Sequence, residues 1–581
     1  MSQAPRSSPD AEEPVEPARI AFGTGANPGA DVVGRHQRLV ARTVLISAFT
    51  ALSRVLGYAR EFLTAVLFGD VSPVYDAFVT AWRVPNLFRR LLGEGAVSMA
   101  LQTSMTEADA DQGDDAGRAL MWDTLRLATW LLVGVCAVVM GTVQLVPDAL
   151  NVPWSDEPAA WLGEDPAAVR DLTYHVMPYV IVICLAGLIG GALSVRGRFT
   201  AASAGPGVMN VVAIVTLLAI GWQFGWTGLG PSDGVEGRER HYEMAKWFSW
   251  GLVLSGVAQL AMLAPEMRSA GLLHRTKAAV RSSTTAWTVL RTSVPLTLGA
   301  AVYQINVLVD SFMAQGMLPR GGPTAYYYAN RLQQLPMALV AVAATSAVFP
   351  ALKALAHKRD FAELKRVHAQ THLGILFVTL PAAAGLFVLA TPVTACLLQY
   401  GEFGAEGVAR TADALRYLCL ALVPAGAVGL LSRAYYALGD FSTPVRLSLV
   451  ALVLNIVFNT LFLALWELDT GGLALSTAIV SALNVALLAP GLRKRLAQRG
   501  DPGGVGLPDF RARLMKMTCA AILCGAVAWG AYELISRGER SIAGLIVAIG
   551  SGMAVYFGAA QLFELPEWVG LRAKLRRRLK R

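Results

Sequence analysis

Apolar runs of about 20 or more residues recur along nearly the whole chain, each long enough to cross a bilayer as a helix. They fall at 41–69, 76–106, 119–147, 167–195, 200–224, 244–264, 285–315, 324–352, 363–391, 406–437, 442–466, 471–491, 512–536 and 541–563. In lipid every backbone polar group needs an internal partner, so continuous apolar runs of this length read as helices. Composition agrees: 54% of the 581 residues are hydrophobic and 16% are charged, against about 25% charged in a soluble domain. The expected fold class is an all-α polytopic membrane protein with about 14 transmembrane helices.

The formal charge of +9 is a topology signal here, not a nucleic-acid footprint. Alternate loops are basic, as at Arg196 and Arg198, at Arg268, Arg275, Lys277 and Arg281, and at Arg493, Lys494, Arg495 and Arg499. The segment Lys353–Arg366 and the tail Arg572–Arg581 are basic too. Intervening loops, such as Asp148–Asp165 and Trp466–Asp469, are acidic or neutral. The positive-inside rule then places both termini in the cytoplasm, as an even number of spans requires. Residues 1–38 lack apolar periodicity and read as a disordered cytosolic tail without a signal peptide. Six cysteines lie in apolar stretches with no CxxC pair, and read as small buried hydrophobes.

The chain repeats itself. Phe78-x-x-Ala81-x-Arg83-Val84 matches Tyr326-x-x-Ala329-x-Arg331-Leu332, each followed by a proline, Pro85 or Pro336. Gly197-Arg198-Phe199-Thr200 matches Gly439-Asp440-Phe441-Ser442. Both pairs share an offset of about 245 residues, which is a repeat of six spans. An even unit keeps both copies in one orientation. The expectation is two six-helix lobes in a parallel pseudo-two-fold repeat around a central site, plus two extra C-terminal helices. The expected divisions are the tail at 1–38, an N-terminal lobe at 39–280, a C-terminal lobe at 281–500, and the last two spans with a basic tail at 501–581.

Charged residues inside these spans need a reason. A guanidinium at the bilayer centre costs about 2.5–3.5 kcal/mol on insertion scales, yet span 1 carries Arg54, Arg60 and Glu61. Counted from the cytoplasmic end, Arg54 lies roughly 16 Å deep, near the midplane. Arg54 and Glu61, seven apart, share a helical face with Gly57 between them. Span 2 carries Asp76, Arg83, Asn86, Arg89, Arg90 and Glu94 around Pro85, which removes a backbone hydrogen bond and should bend the helix at a cavity wall. Arg89 and Arg90 diverge by about 100°, so one of them at most faces a given cavity. Arg331 is the repeat equivalent of Arg83. Guanidinium forks suit phosphate, and several in one low-dielectric cavity fit a diphosphate. The competing reading is an internal Arg–Glu pair that locks helices together.

The second lobe offers oxygen donors instead: Asp310, Asn455 and Asn459 one turn apart, and Thr477. They could hold a monovalent cation or a proton, or serve as helix–helix hydrogen bonds. Asp109-Ala110-Asp111 looks like a metal-binding glycosyltransferase motif, but it reads as a solvated acidic loop.

The stretch Ser53-Arg54-Val55-Leu56-Gly57-Tyr58-Ala59-Arg60-Glu61, then Asp76-Ala77-Phe78, then Pro85-Asn86-Leu87-Phe88-Arg89-Arg90-Leu91-Leu92-Gly93-Glu94-Gly95-Ala96 resembles the MurJ (MviN) lipid II flippases. So do Tyr327-Tyr328-Ala329-Asn330-Arg331-Leu332, Gln399-Tyr400-Gly401-Glu402-Phe403 and Ser442-Thr443-Pro444-Val445, and the resemblance runs over about residues 40–500. It implies a member of the multidrug/oligosaccharidyl-lipid/polysaccharide exporter superfamily: a transporter, not an enzyme. Its substrate would be lipid II, undecaprenyl-diphosphate-linked GlcNAc–MurNAc-pentapeptide, moved to the outer leaflet of the bacterial plasma (inner) membrane by alternating access. The implied substrate-binding residues are Arg54, Arg60, Arg89 and Arg331, with Asp76, Asn86, Arg90 and Glu94 alongside. The implied sodium site is Asp310, Asn455, Asn459 and Thr477, making Na+ or H+ the coupling ion with no other cofactor. Some relatives have an acid where this chain has Asn459. Implied partners are lipid II, membrane lipids and the cell-wall synthesis machinery, not nucleic acid. The alternative is a flippase for another polyprenyl-diphosphate-linked oligosaccharide, such as an O-antigen or exopolysaccharide unit.

Overall fold

A computed structural model describes residues 28–93, 95–149, 165–226, 235–274, 285–337, 343–499, 507 and 509–579. Among these residues every regular element is helical. The first half holds α1 (Pro28–Phe68), α2 (Pro73–Phe88), α3 (Ala96–Gln112), α4 (Asp114–Ala149), α5 (Pro166–Val176), α6 (Pro178–Val195), α7 (Thr200–Phe224) and α8 (Val235–Ser269). The second holds α9 (Ala286–Met317), α10 (Gly322–Met337), α11 (Ala343–His357), α12 (Phe361–Val388), α13 (Ala390–Leu398), α14 (Ala405–Ala437), α15 (Ser442–Thr460) and α16 (Thr470–Ala497). Then follow α17 (Phe510–Ser536), α18 (Ile542–Leu562) and α19 (Pro566–Leu579).

Among the described residues ten helices are long and apolar enough to span a membrane, and they coincide with expected spans 3–6 and 9–14. The other four expected spans fall on α1, on α2 with α3, on α9, and on α10 with α11. Those helices carry Arg54, Arg60, Arg83, Arg331 and Asp310, and the full count of fourteen stays a reading of the sequence. Large apolar side chains such as Ile522 on α17 and Ile546 on α18 are exposed, which water would penalise and lipid does not. Two expectations about the ends of segments change. Residues 28–38, read as part of the tail, belong to α1, while 1–27 lie outside the described residues. The acidic stretch at Asp109 is helical, because α3 runs on to Gln112. Asp109 pairs with Arg196 at 3.0 Å and is not a solvated loop residue. Five cysteines are buried as expected, but Cys519 is exposed.

The packing obeys the six-span repeat. In the first half α1 packs on α7, α7 on α8, and α6 on α8, α4 and α3. In the second half α9 packs on α15, α15 on α16, and α14 on α16, α12 and α11, which is the same graph shifted by six spans. α17 and α18 pack on each other and on α12, outside that graph. Pro85 acts locally as its chemistry demands. After Pro85, α2 gives way to a π-helical turn at Arg89–Gly93, while Pro336 lies inside α10.

α2 has two working faces. Tyr75, Phe78 and Trp82 form one stripe, with Phe78 5.1 Å from Phe248 and Trp82 5.1 Å from Tyr179. Burying aromatics of this size supplies about 1.5–3 kcal/mol apiece and anchors α2 in the first half. Asp76, Thr80 and Arg83 form the other stripe, about 130° away, and the first two bond across to the second half. Asp76 accepts from Gly321 N–H at 2.7 Å, from Thr324 N–H at 2.9 Å and from Thr324 hydroxyl at 2.5 Å, capping the start of α10. Thr80 donates to Gln315 of α9 at 2.8 Å. Asp70, in the α1–α2 turn, caps the start of α14 through Gly404 N–H at 3.1 Å and Gly407 N–H at 2.6 Å. Carboxylates at helix N-termini meet both unpaired N–H groups and the positive end of the dipole. The two halves are thus sealed along a polar seam at the α1–α2 turn.

Backbone contact makes that seam tight. Gly321 has φ +78°, and a Cβ there would lie 2.0 Å from the carbonyl oxygen of Asp70. Gly113 has φ +85° with open space around it. Gly321→Ala is therefore expected to lower the unfolding midpoint in detergent far more than Gly113→Ala, which should cost only the left-handed strain of about 1–2 kcal/mol. Equal effects would show that the seam yields without cost. At the other end of the molecule, Asp440 begins α15 by accepting from Thr443 N–H at 3.0 Å and pairing with Arg495 at 2.9 Å. Burial works to raise its carboxyl, but the bonds from Thr443 and Ser442 and the Arg495 charge outweigh it and hold the group below the ordinary carboxylate range. Its stabilisation is therefore complete above the unfolded-state value and is lost as pH falls through the lowered folded value. Thermal melts from neutral pH to about pH 3 should show a shallower acid loss for Asp440→Asn than for the parent.

Candidate functional site

Between the two halves lies a cavity of about 390 Å³. Its walls come from α1 (Thr50, Ser53, Arg54, Tyr58), α2 (Trp82, Asn86), α7 (Ser203, Met209, Asn210) and α10 (Arg331, Gln334). Arg60, Glu61 and Arg89 complete it. Four arginines and one carboxylate share this space, so its field is strongly cationic.

Glu61 sits at the blind end, buried, and gathers charge from both halves. Its Oε1 accepts from Arg60 at 2.5 Å and from Tyr327 hydroxyl at 3.0 Å, and lies 3.4 Å from Nε of Arg331. Arg331 also donates to the Tyr327 hydroxyl at 3.1 Å. Arg60 spends a second donor on Asn210 Oδ1 at 3.2 Å. Asn210 in turn donates to the Ser53 carbonyl at 2.8 Å, which fixes α7 on α1. Arg89 donates to Asn86 Oδ1 at 2.9 Å from Nη2 and 3.3 Å from Nε. Arg54 lines the cavity and makes no hydrogen bond or ion pair with a described residue. The internal-pair reading thus describes Arg60 and Arg331, while Arg54 keeps its donors for something else.

Of the residues expected to bind substrate, Arg54, Arg60, Arg89, Arg331 and Asn86 are brought together in the cavity. Arg90 is not: it lies one residue along the π-helical turn and points elsewhere, as the 100° step requires. Asp76 is not either, because its carboxylate is consumed in capping α10 and is 3% exposed. Glu94 lies outside the described residues. Tyr327, Asn210 and Glu61 complete the constellation. Tyr327 and Glu61 lay within the recognised motifs, but nothing local in the sequence ties Asn210 on α7 to Arg60, 150 positions away.

The oxygen-donor set of the second half is partly assembled. Asp310 accepts from Asn459 at 2.8 Å and from Asn306 at 3.3 Å. Asn459 also donates to Asn455 Oδ1 at 3.1 Å, and its own Oδ1 is buried with no partner. The Thr477 hydroxyl donates to Leu473 carbonyl at 3.2 Å, one turn back on its own helix, and also bonds Tyr326.

A second, apolar cavity of about 640 Å³ opens between α10, α12, α17 and α18, lined by Leu332, Phe377, Leu386, Ala528, Ile549 and Tyr556 among others. It meets the cationic cavity at Tyr58, which borders both.

A helical repeat around a cationic cavity defines a lipid-facing transporter of the exporter type. Solved structures agree on the fold. The chain aligns over 90% of its length, with TM-score 0.69 and 19% identity, to 98% of a lipid II flippase MurJ in an inward closed conformation. It aligns over 77% of its length, with TM-score 0.61 and 15% identity, to 95% of an inward-facing multidrug resistance MATE family transporter of the MOP superfamily. The family description "Lipid II flippase MurJ" matches residues 64–540. The Vibrio cholerae probable lipid II flippase MurJ is 30% identical over 541 residues, covering 90% of this chain and 95% of that one. The Burkholderia cenocepacia lipid II flippase MurJ is 29% identical over 524 residues, covering 88% and 95%. The chain belongs to the lipid II flippase MurJ family.

Removing Glu61 leaves the buried guanidinium of Arg60 and the half-buried one of Arg331 without their shared counter-charge, at a cost of about 3–5 kcal/mol. Tyr327→Phe removes only hydroxyl bonds and should cost about 1–2 kcal/mol. Chemical unfolding in detergent checks the order: Glu61→Ala no worse than Tyr327→Phe would mean that the arginines find other partners at no cost.

Proposed function

We propose that the chain is a lipid II flippase that carries undecaprenyl-diphosphate-linked GlcNAc–MurNAc-pentapeptide from the inner to the outer leaflet of the bacterial plasma membrane for peptidoglycan synthesis. The observation that carries this reading is the cationic cavity joined at Tyr58 to an apolar groove. An anion on a lipid needs both at once. Arg54, Arg60, Arg89 and Arg331 would hold the diphosphate by charge-assisted hydrogen bonds, Arg54 with all its donors available and Arg60 and Arg331 by exchange with Glu61. Asn86 keeps Arg89 oriented. The glycopeptide would occupy the aqueous space and the polyprenyl tail the groove beside α17 and α18. A cationic drug would meet repulsion in the same cavity.

The topology in this reading follows the basic loops: both termini cytoplasmic, the cavity opening inward, and the seam at the α1–α2 turn closing the outer side. The lobes divide at about residue 280, with α17 to α19 as an appendage. The basic C-terminus would sit on anionic headgroups. Binding neutralises the arginines and lets the lobes rock; the inside-negative potential, worth about 2.3 kcal/mol per charge per 100 mV, then draws the emptied cationic cavity back. Asp310 with the amide oxygens of Asn455 and Asn459 would take Na+ or H+ as coupling ion; the orphaned Asn459 Oδ1 suits such a hard cation. Cell-wall synthases that consume lipid II would be the partners on the outer side.

Two measurements test this. On depletion of the protein, surface-accessible lipid II should fall, and Arg54→Ala should fail to restore it by about tenfold or more, as expected for the loss of a charge-assisted bond. Normal export with Arg54→Ala removes the role given to that residue. Purified protein in vesicles should flip lipid II in preference to an undecaprenyl-diphosphate sugar lacking the peptide. Equal rates would favour a carrier of other polyprenyl-diphosphate saccharides.

A further inference from the structure

Arg83 is a buried arginine with no hydrogen-bond acceptor among the described residues. It is 8% exposed, no described residue accepts a hydrogen bond or forms an ion pair with it, and its Nε is among the buried atoms without a partner. A guanidinium is always charged and carries five donors, so a site that leaves it unpaired is unfavourable unless another state satisfies it. Two groups temper its charge here. Its guanidinium carbon lies 5.2 Å from the ring centroid of Tyr327, and the charge of Asp310 reaches it.

Its position is defined on two sides. On the α2 stripe, Asp76 and Thr80 bond across the seam to α10 and α9, and Arg83 comes next inward. Toward the cavity stands Tyr327, whose ring also carries Arg331 at 5.0 Å. Arg83 and Arg331 are repeat equivalents, placed about one aromatic ring by the pseudo-two-fold relation. Arg331 is open to the cavity, whereas Arg83 is shut behind the seam. The counter-charges are unequal too. Asp310 is satisfied by Asn459 and Asn306 of its own lobe, but Arg83 has no acceptor among the described residues of either lobe. When α2 parts from α9, Asp310 keeps its bonds and Arg83 alone is left needing an anion.

We propose that Arg83 is a further diphosphate-binding residue, sequestered while the outer seam is closed and presented to the substrate when α2 parts from α9. It would take over the anion on the outward side, while Arg331, across Tyr327, serves the inward side. The proposal rests on the lipid-diphosphate reading above.

The test uses the full-length protein in lipid nanodiscs with undecaprenyl diphosphate as probe. Thr80→Cys with Gln315→Cys, bridged by a short bis-methanethiosulfonate in a background without the exposed Cys519, holds the seam closed, and reduction releases it. Arg83→Gln should weaken probe binding by about tenfold in the reduced protein, the worth of a charge-assisted bond, and by less than about twofold in the locked protein. Arg83→Lys, which keeps the charge and loses the fork, should show the same split at about threefold, and serves if the glutamine variant does not accumulate. An equal loss in locked and reduced protein, or no loss in the reduced protein, overturns the proposal. Failure of the parent protein to bind the probe at all would instead remove the lipid-diphosphate reading, and this proposal with it.

Discussion

A single carboxylate organises the centre of this molecule. Glu61 lies within 3.4 Å of donors on its own helix and on α10 of the opposite half, and among the described residues it is the one acid that walls the cationic cavity. Without it the guanidiniums of Arg60 and Arg331 would repel in a low-dielectric space. With it they are held in place while their charge is only partly spent. That balance matters for a transporter. A fully neutralised cluster would be a structural lock, and an unneutralised one would not stay folded around an empty cavity.

The same economy governs the seam. α2 fixes itself to one half by aromatic burial and offers the opposite face, Asp76, Thr80 and Arg83, to the other half. The links across it include hydrogen bonds to helix N-termini, the Thr80–Gln315 pair, and Tyr328, whose hydroxyl bonds Tyr75 and Thr64. Such bonds contribute only about 0.5–1.5 kcal/mol each in net terms, because their groups can bond elsewhere when parted. A seam of this kind is strong enough to hold two lobes in one arrangement and weak enough to release them, which an apolar interface of equal area would not be.

Much of this could be read from the chain. Helix positions followed from the length of apolar runs, and the repeat from two short matches at one spacing, because membrane helices leave few alternatives for the backbone. The proline at 85 marked a real irregularity, the π-helical turn that follows it. The cavity arginines were visible because charge inside an apolar run has to be explained. Asp76 shows where such reasoning stops. A buried acid near arginines looks like part of a charged site, yet its carboxylate faces the start of α10, 245 positions away. Asn210 shows the opposite case: a polar residue that matters through contacts with a distant helix.

Sequence by itself determined that this chain is a helical membrane protein with a six-span repeat, and which side chains pay to be in the bilayer, because hydrophobic length and charge cost are properties of a segment alone. Only the tertiary structure decided which charges meet. Arg60, not Arg54, is the partner of Glu61, Asp76 belongs to the seam, and Arg83 faces the ring that Arg331 also uses. Those pairings depend on helices from opposite halves approaching within hydrogen-bond distance, and no local pattern encodes where a side chain's distant neighbour will stand.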